Sequence, residues 1–413
     1  MIQSTSGFME GEHHSVADRV TRFFIYKSIQ KVVYWGYYGI VFLVFLAFFR
    51  GLVIQAQVAT PEQAIKLMQM GRFSEAEKIW RQLALTDPKD LAVHANLGLV
   101  LAHQGQYRDA ADEYRKALAL NPNQPDVEFD LGLAEFKQGH FAAAVSAFKS
   151  VAAVRQVDGR IQMLLGMSYY GEYQYSKAVP YLTSVDKLQP SNIELHYVLA
   201  ESCLRSLNAQ CAISKCKQIL EMNPQSAQAH MLLGEALDGT NKTKDAINEF
   251  LAAERVAPGE PGVHFGLGYL YWELHDYDQA VPEFELELKN DPKNAQSDTY
   301  LGDIAYRNNH DASAESLLKK AIHLQGNIRL AYFDLGCVEA RQKHNLEAIA
   351  NFQDAEKLDP QDADAHYRLG RIYMSLGRKQ QAAEEFAKTK ELNQKTKESL
   401  IDKISGKESV GLH

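Results

Sequence analysis

Five histidines recur in one register: His94, His196, His230, His264 and His366, each separated from the next by 34 or a multiple of 34. Imidazoles in such register first suggest a metal, because neutral histidine is the commonest metal ligand. Zinc needs its ligand atoms within about 2 Å, whereas equivalent helices of successive repeats lie farther apart than the roughly 8–10 Å of directly packed helices. One ion cannot gather the five, so they are expected to pack on an amphipathic face, and no metal site is expected. Cys203, Cys211 and Cys216 crowd one stretch while Cys337 stands alone, with no CxxC spacing. In an oxidising compartment Cys203 and Cys216 are placed to bridge facing helices; otherwise they are buried thiols. Ser146 with Lys149 and Ser316 with Lys319 have Ser-x-x-Lys spacing, but both sit inside ordinary helical stretches without the partner motifs of a serine acyltransferase. No GxSxG, HExxH or phosphate-binding glycine loop occurs. The sequence therefore offers no catalytic residue and no cofactor.

The elements that position these side chains follow one period. Pro88, Pro122, Pro190, Pro224, Pro258, Pro292 and Pro360 have separations of 34 or 68. Ten repeats of that period begin at 57, 91, 125, 159, 193, 227, 261, 295, 329 and 363 and end near 396, without an insertion. Position 20 is alanine in every repeat, from Ala76 to Ala382, and position 8 is glycine in eight and alanine in two (Ala64 and Ala200). Apolar residues at positions 4, 7, 8 and 11, and again at 17, 20, 24 and 27, form two helical stripes. Gly71, Gly105, Gly139 and Gly377 at position 15 predict a left-handed cap ending the first helix, and proline at position 32 ends the second. One pair cannot bury both stripes, so the pairs must stack.

The second repeat, LAVHANLGLVLAHQGQYRDAADEYRKALALNP, resembles the tetratricopeptide repeat (TPR) at Leu97, Gly98, Leu101, Gly105, Tyr107, Ala110, Tyr114, Ala117 and Pro122. The resemblance covers residues 57–396. It implies an all-α, right-handed superhelical solenoid of stacked antiparallel helix pairs. Its first helices would line a concave surface, with ligand-facing positions 2, 5, 9, 12 and 13. Carried over, these give Phe129, Leu133, Phe136, Met163, Met167, Tyr170, Tyr197, Met231, Phe265, Tyr269, Trp272, Tyr306, Phe333, Tyr367 and Met374, an aromatic and methionine-rich wall. Glu194, Glu201, Glu235, Asp238, Glu273 and Asp303 stand in its middle and Arg205, Arg307, Arg341 and Arg371 mostly towards its C-terminal end. A peptide or amphipathic helix, basic at one end and acidic at the other, fits that pattern; charge rows on helices are otherwise solvated faces. Repeat five, with Leu207, Ala209 and Cys216 at family positions, and repeat eight, with Asp311 and Gly326, are expected to be the weakest joints.

Composition narrows the rest. The 413 residues are 46% hydrophobic, which excludes disorder as the main state, and 44 basic against 52 acidic residues give a net charge of −8, unlike a nucleic-acid binder. Residues 32–49 carry no charge, long enough for a bilayer, and basic residues precede them at Arg19, Arg22, Lys27 and Lys31. The segment 32–54 therefore reads as a transmembrane helix after a cytoplasmic tail (1–31), or as a signal sequence cleaved near Ala56. The first places the array (57–396) outside the inner, cytoplasmic membrane and the second releases it to the periplasm. Residues 397–413, with Leu400, Ile401 and Ile404, are expected to form a C-terminal cap and tail. The expected function is a membrane-tethered, non-enzymatic scaffold binding protein or peptide segments at the cell envelope. The alternatives are a subunit of a polysaccharide, pilus or secretion machine, a secreted periplasmic array, or an adaptor for a protease or chaperone. TPR-fused glycosyltransferases need a long catalytic region after the array, where the short segment 397–413 follows.

Overall fold

A computed structural model describes residues 59–154 and 159–404. Among the described residues there are twenty helices and no strand. The chain divides into two compact bodies, Met1–Pro122 and Asn123–His413. The first holds α1 (Pro61–Gln69), α2 (Phe73–Thr86), α3 (Leu91–His103) and α4 (Tyr107–Leu120). The second opens with α5 (Pro125–Lys137), α6 (Phe141–Val154), α7 (Gly159–Gly171), α8 (Tyr175–Asp186), α9 (Ile193–Arg205), α10 (Ala209–Met222), α11 (Ala227–Asp238) and α12 (Thr243–Val256). It continues through α13 (Val263–Glu273), α14 (Tyr277–Asn290), α15 (Ala295–Arg307), α16 (Asp311–Leu324), α17 (Arg329–Arg341), α18 (Asn345–Leu358), α19 (Ala363–Ser375) and α20 (Lys379–Ile404). Each odd-numbered helix and its successor make one repeat, and within each body consecutive pairs stack. The tail and apolar segment expected over 1–31 and 32–54 lie outside the described residues. Among those described, no helix is long and apolar enough to cross a membrane. α20 runs unbroken from the tenth repeat into the segment expected to cap it.

Every position-20 alanine is fully buried. The glycines at position 8 make room for the large side chain at position 24. A Cβ on Gly98 would lie 2.7 Å from the Tyr114 ring, one on Gly234 2.7 Å from Phe250, and one on Gly268 2.8 Å from Phe284. In repeat five both sides of this pair change, with Ala200 at position 8 and Cys216 at position 24. A larger floor thus meets a smaller roof, which conserves volume.

Position 15 is left-handed in all ten repeats. Only four carry glycine there; the others place Tyr173, Leu207, Asn241, His275, Asn309 and Lys343 at φ between 58° and 65°. Asparagine enters this region most readily, whereas the other side chains cost about 1–2 kcal/mol each. The geometry survives because the amide of position 16 bonds a carbonyl of the first helix in each case, as Asn208 does to Cys203 at 2.8 Å. Capping side chains start many first helices, including Asp90, Asn192, Ser226, Asn294 and Asp362. Gly262 holds that place before α13, and the buried Glu287 carboxylate accepts from the Gly262 and Phe265 amides instead, at 3.0 and 3.2 Å. Pro180 and Pro282 sit inside α8 and α14 without ending them.

Candidate partner-binding face

All the expected groove residues belong to first helices of the second body, and the structure shows how these helices are laced together. Tyr170 at position 12 donates its hydroxyl to Glu201 at position 9 of the next repeat, at 2.5 Å. Trp272 repeats the step, its indole N–H donating to Asp303 at 2.6 Å. Cys337 holds the same position 9 in the repeat after Tyr306, and burial, then that thiol, pushes the Tyr306 phenol up. Burial and the Glu201 charge push the Tyr170 phenol up, and burial pushes the Cys337 thiol up to about 11. Tyr197 and Ser226 share a hydrogen bond of 2.5 Å, and Arg205 pairs with Glu235 at 3.3 Å.

The densest aromatic group lies on α13 and α15. Tyr269 and Trp272 stack with ring centroids 6.0 Å apart, and Tyr300 meets Trp272 edge-on at 4.8 Å. Tyr300 also lies parallel to Phe284 at 5.4 Å and touches Phe265 at 6.0 Å. Sequence reasoning missed Tyr300 because position 6 is not one of the family's ligand-facing positions; burial raises its phenol to about 12. Elsewhere the expected residues are spread along the row. Arg160 covers Phe129 at 4.6 Å, Phe136 packs edge-on to Phe141, and Phe333 packs edge-on to Phe352. Met163, Met167 and Met231 are half-buried against the core. Arg341 lies 4.3 Å over the Tyr306 ring and binds Asn309, the Tyr306 carbonyl and Asp311. Tyr367 and Met374 stand 43% and 50% exposed, and Arg371 is exposed beside them.

The charge of this face changes along the row. Burial pushes the Glu235 carboxyl up despite Arg205. Asp238 and Glu273, on consecutive first helices, are both raised by burial, and the Asp238 charge raises Glu273 further. Farther on, Arg307 donates to Asp303 at 2.7 Å. Asp334 is 3% exposed, and neither its Oδ2 nor Oδ1 of Asp303 has a hydrogen-bond partner among the described residues. Burial, then the Asp303 charge, pushes Asp334 far above the ordinary carboxyl range, against the pull of Arg307, Arg329 and Arg368.

Two sequence expectations are corrected. The bridge runs between Cys203 and Cys211, with Cα atoms 5.7 Å apart, and Cys216 is a free buried thiol. The left-handed turn at Leu207 folds the first turn of α10 onto the end of α9, bringing position 19 to position 11. Position 24, where Cys216 sits, instead faces position 8. The position-4 histidines are more than packing. His94, His230, His264 and His366 each meet a glutamate nineteen residues on, at 2.6–2.7 Å. The signal was in the sequence, since these repeats all carry glutamate at position 23. Glu356, His366 and Glu385 bring possible ligand atoms within 4.8 Å of one another, but Lys388 Nζ already stands 3.3 and 3.6 Å from the two carboxylates. In the first body a cleft of about 610 Å³ is lined by Arg81, Leu85, His94, Glu113 and Lys116, and none of the expected groove residues borders it.

A family model of the tetratricopeptide repeat matches residues 62–125, 197–261, 265–327 and 333–394, more than half of the chain, and a second matches 101–167. The chain belongs to the tetratricopeptide repeat family. Among known proteins, this TPR chain is similar to Superkiller protein 3 of Schizosaccharomyces pombe, 23% identical over 145 residues, covering 33% of the chain and 10% of that protein. It is also similar to Protein O-mannosyl-transferase TMTC3 of Homo sapiens, 25% identical over 183 residues, covering 40% and 20%. The chain thus spans a tenth to a fifth of the length of these relatives. Among solved structures it is similar to YrrB, a TPR protein with an unusual peptide-binding site, at 18% identity and TM-score 0.38, covering 43% of this chain and 92% of that one. Against the APC/C hetero-tetramer Cut9–Hcn1 the identity is 15% and the TM-score 0.44, covering 80% and 73%.

Proposed function

We propose that this TPR chain is a scaffold whose first-helix face in repeats three to ten holds an extended segment of a partner protein. The observation that carries the reading is one continuous row of half-buried aromatic and methionine side chains, acidic around Glu201, Glu235, Asp238 and Glu273 and basic around Arg371. Apolar side chains supply contact area, and charge of opposite sign at the two ends fixes the direction of the bound segment. The proposed role is binding rather than catalysis. The proposed setting is the cell envelope, with 32–54 as an inner-membrane anchor or a cleaved signal sequence. The charge-free run at 32–49 and the Cys203–Cys211 bridge, a bond typical of oxidising compartments, support that reading.

The test is site-specific photo-crosslinking in cells, with the crosslinker at Met374 on the face or at Leu85 in the first body. Each is placed in the wild-type background and with Tyr367→Ala/Arg371→Glu. Those two side chains are exposed and make no inter-repeat bond, so the fold is expected to persist, unlike after loss of Trp272. A product from Met374 alone, lost from the variant, supports the face; equal products from both sites would sink it. The intact mass of the membrane fraction distinguishes an anchored chain from a trimmed one.

A further inference from the structure

In four repeats one imidazole joins three segments of chain. Nδ1 of His94, His230, His264 and His366 lies 2.6, 2.6, 2.7 and 2.6 Å from a carboxylate oxygen of Glu113, Glu249, Glu283 and Glu385 on the second helix of the same repeat. Nε2 of the first three lies 3.0, 3.4 and 3.0 Å from the carbonyl oxygen of Pro88, Pro224 and Pro258, in the turn arriving from the preceding repeat. His366 Nε2 instead faces Glu356 at 3.8 Å. A carbonyl oxygen only accepts, and so does an ionised carboxylate, so a ring satisfying both must carry two protons. Moving the Nδ1 proton onto the glutamate leaves the count unchanged. The closed junctions at His94, His230 and His264 therefore each hold one proton more than a neutral imidazole beside an ionised carboxylate, a requirement that His366, hydrogen-bonded to Glu385 alone, does not share.

We propose that His94, His230 and His264 are proton-operated clasps that lock the inter-repeat turns to the second helices and release on the alkaline side, loosening the array locally as pH rises. Charged and titratable groups surround each histidine. His94 faces Glu113 and Lys116 on α4, with Arg81 of α2 lining the same cleft. Burial pushes the Glu113 carboxyl up, but hydrogen bonds from Lys116 and His94 outweigh it and hold the group below its ordinary range, so the acceptor stays ionised. His230 faces Glu249 on α12, with the buried Cys216 thiol of α10 in the field of that carboxylate. His264 faces Glu283 on α14, beside Tyr271 on its own helix and Glu254 on α12. His366 is flanked by Glu385 and Lys388 on α20 and Glu356 on α18.

Repeat five supplies the control within the same molecule. There position 23 is Lys215, which takes Asp186 of the preceding repeat at 2.5 Å. Both ring nitrogens of His196 are buried without an aligned hydrogen bond, although Nε2 stands 3.0 Å from Asp186, and burial pushes the ring down towards its neutral form. The sign of the linkage follows from proton counts. A folded state that holds more protons than the opened one is stabilised fully in acid and loses that stability as pH rises, by up to a tenfold change in the opening equilibrium per pH unit per proton. The loss begins above pH about 6.5, where an imidazole in an unfolded chain titrates.

The experiment is hydrogen exchange on the full chain from pH 6 to 9, corrected for base catalysis and resolved by repeat. The expected result is opening that steepens with pH, up to tenfold per unit, at the turns of repeats two, six and seven, with a flatter profile at repeats five and ten. Glu249→Gln flattens the profile of repeat six alone. Nitrogen-15 spectra of the histidine rings in the wild-type chain give a second reading that no variant can confound. Rings of His94, His230 and His264 protonated on both nitrogens at pH 7 support the clasps. Neutral rings at these three, or a pH profile in the clasped repeats no steeper than in repeat five, overturn them.

Discussion

Asp334 shows how a single side chain can set the pH response of its neighbourhood. Its carboxyl is buried, with Oδ2 unbonded, and held far above the ordinary range by burial and by Asp303. A group raised by folding contributes its full stability at low pH and loses it as pH rises through the native value. Asp334→Asn, of the same shape but uncharged, is expected to melt with wild type near pH 3, below the value at which an aspartate in an unfolded chain ionises, and to be more stable at pH 8. The gain is about 1–3 kcal/mol, the scale of an unsatisfied buried polar group. Melting curves at the two pH values check it, and parallel curves would clear Asp334 of the role. No part of this was legible in the sequence. Aspartate at position 6 looks like any solvated helix charge until α15 and α19 close over it, whereas the alanine column at position 20 announced its burial in every repeat.

At the scale of the helix pair, the contact between positions 8 and 24 governs how closely the two helices approach. Gly268→Ala would put a Cβ 2.8 Å from the Phe284 ring, which is fully buried and cannot withdraw. A loss of about 1–3 kcal/mol in denaturant unfolding is expected; an unchanged midpoint would mean that the pair has slack. The register and the helix pairs were legible because glycine, alanine and proline mark backbone requirements directly. The left-handed turn was legible only where glycine occupied it. At Tyr173, Leu207 and Lys343 the flanking helices impose the conformation on side chains that do not prefer it, and no local signal records that. The cysteine pairing failed for a related reason, since pairing positions 11 and 24 ignored how tightly the turn returns the chain. The family's positions named residues that the structure places on first helices, and Tyr300 was not among them.

At the scale of the whole chain, every repeat depends on its neighbours, so stability is a sum of local terms and perturbations stay local. Repeat five breaks the pattern three times, with a small residue at position 24, an unclasped histidine and an exposed leucine in the left-handed turn. Its bridge closes the hairpin that these substitutions weaken. Reduction is therefore expected to raise amide exchange in α9 and α10 several-fold while repeats nine and ten stay unchanged. A uniform rise along α5–α20 would show instead that the body unfolds as one unit.

The complementarity of positions 8 and 24 also sets the grain at which such a chain can be shuffled. The glycine helix of repeat seven meets Phe284, the alanine helix of repeat one meets Trp80 and the alanine helix of repeat five meets Cys216, so each first helix is fitted to its own second helix. Single helices are therefore not interchangeable between repeats. A duplication, deletion or graft keeps the packing only if it moves both helices of a pair, in steps of one whole repeat. The heritable module is the hairpin.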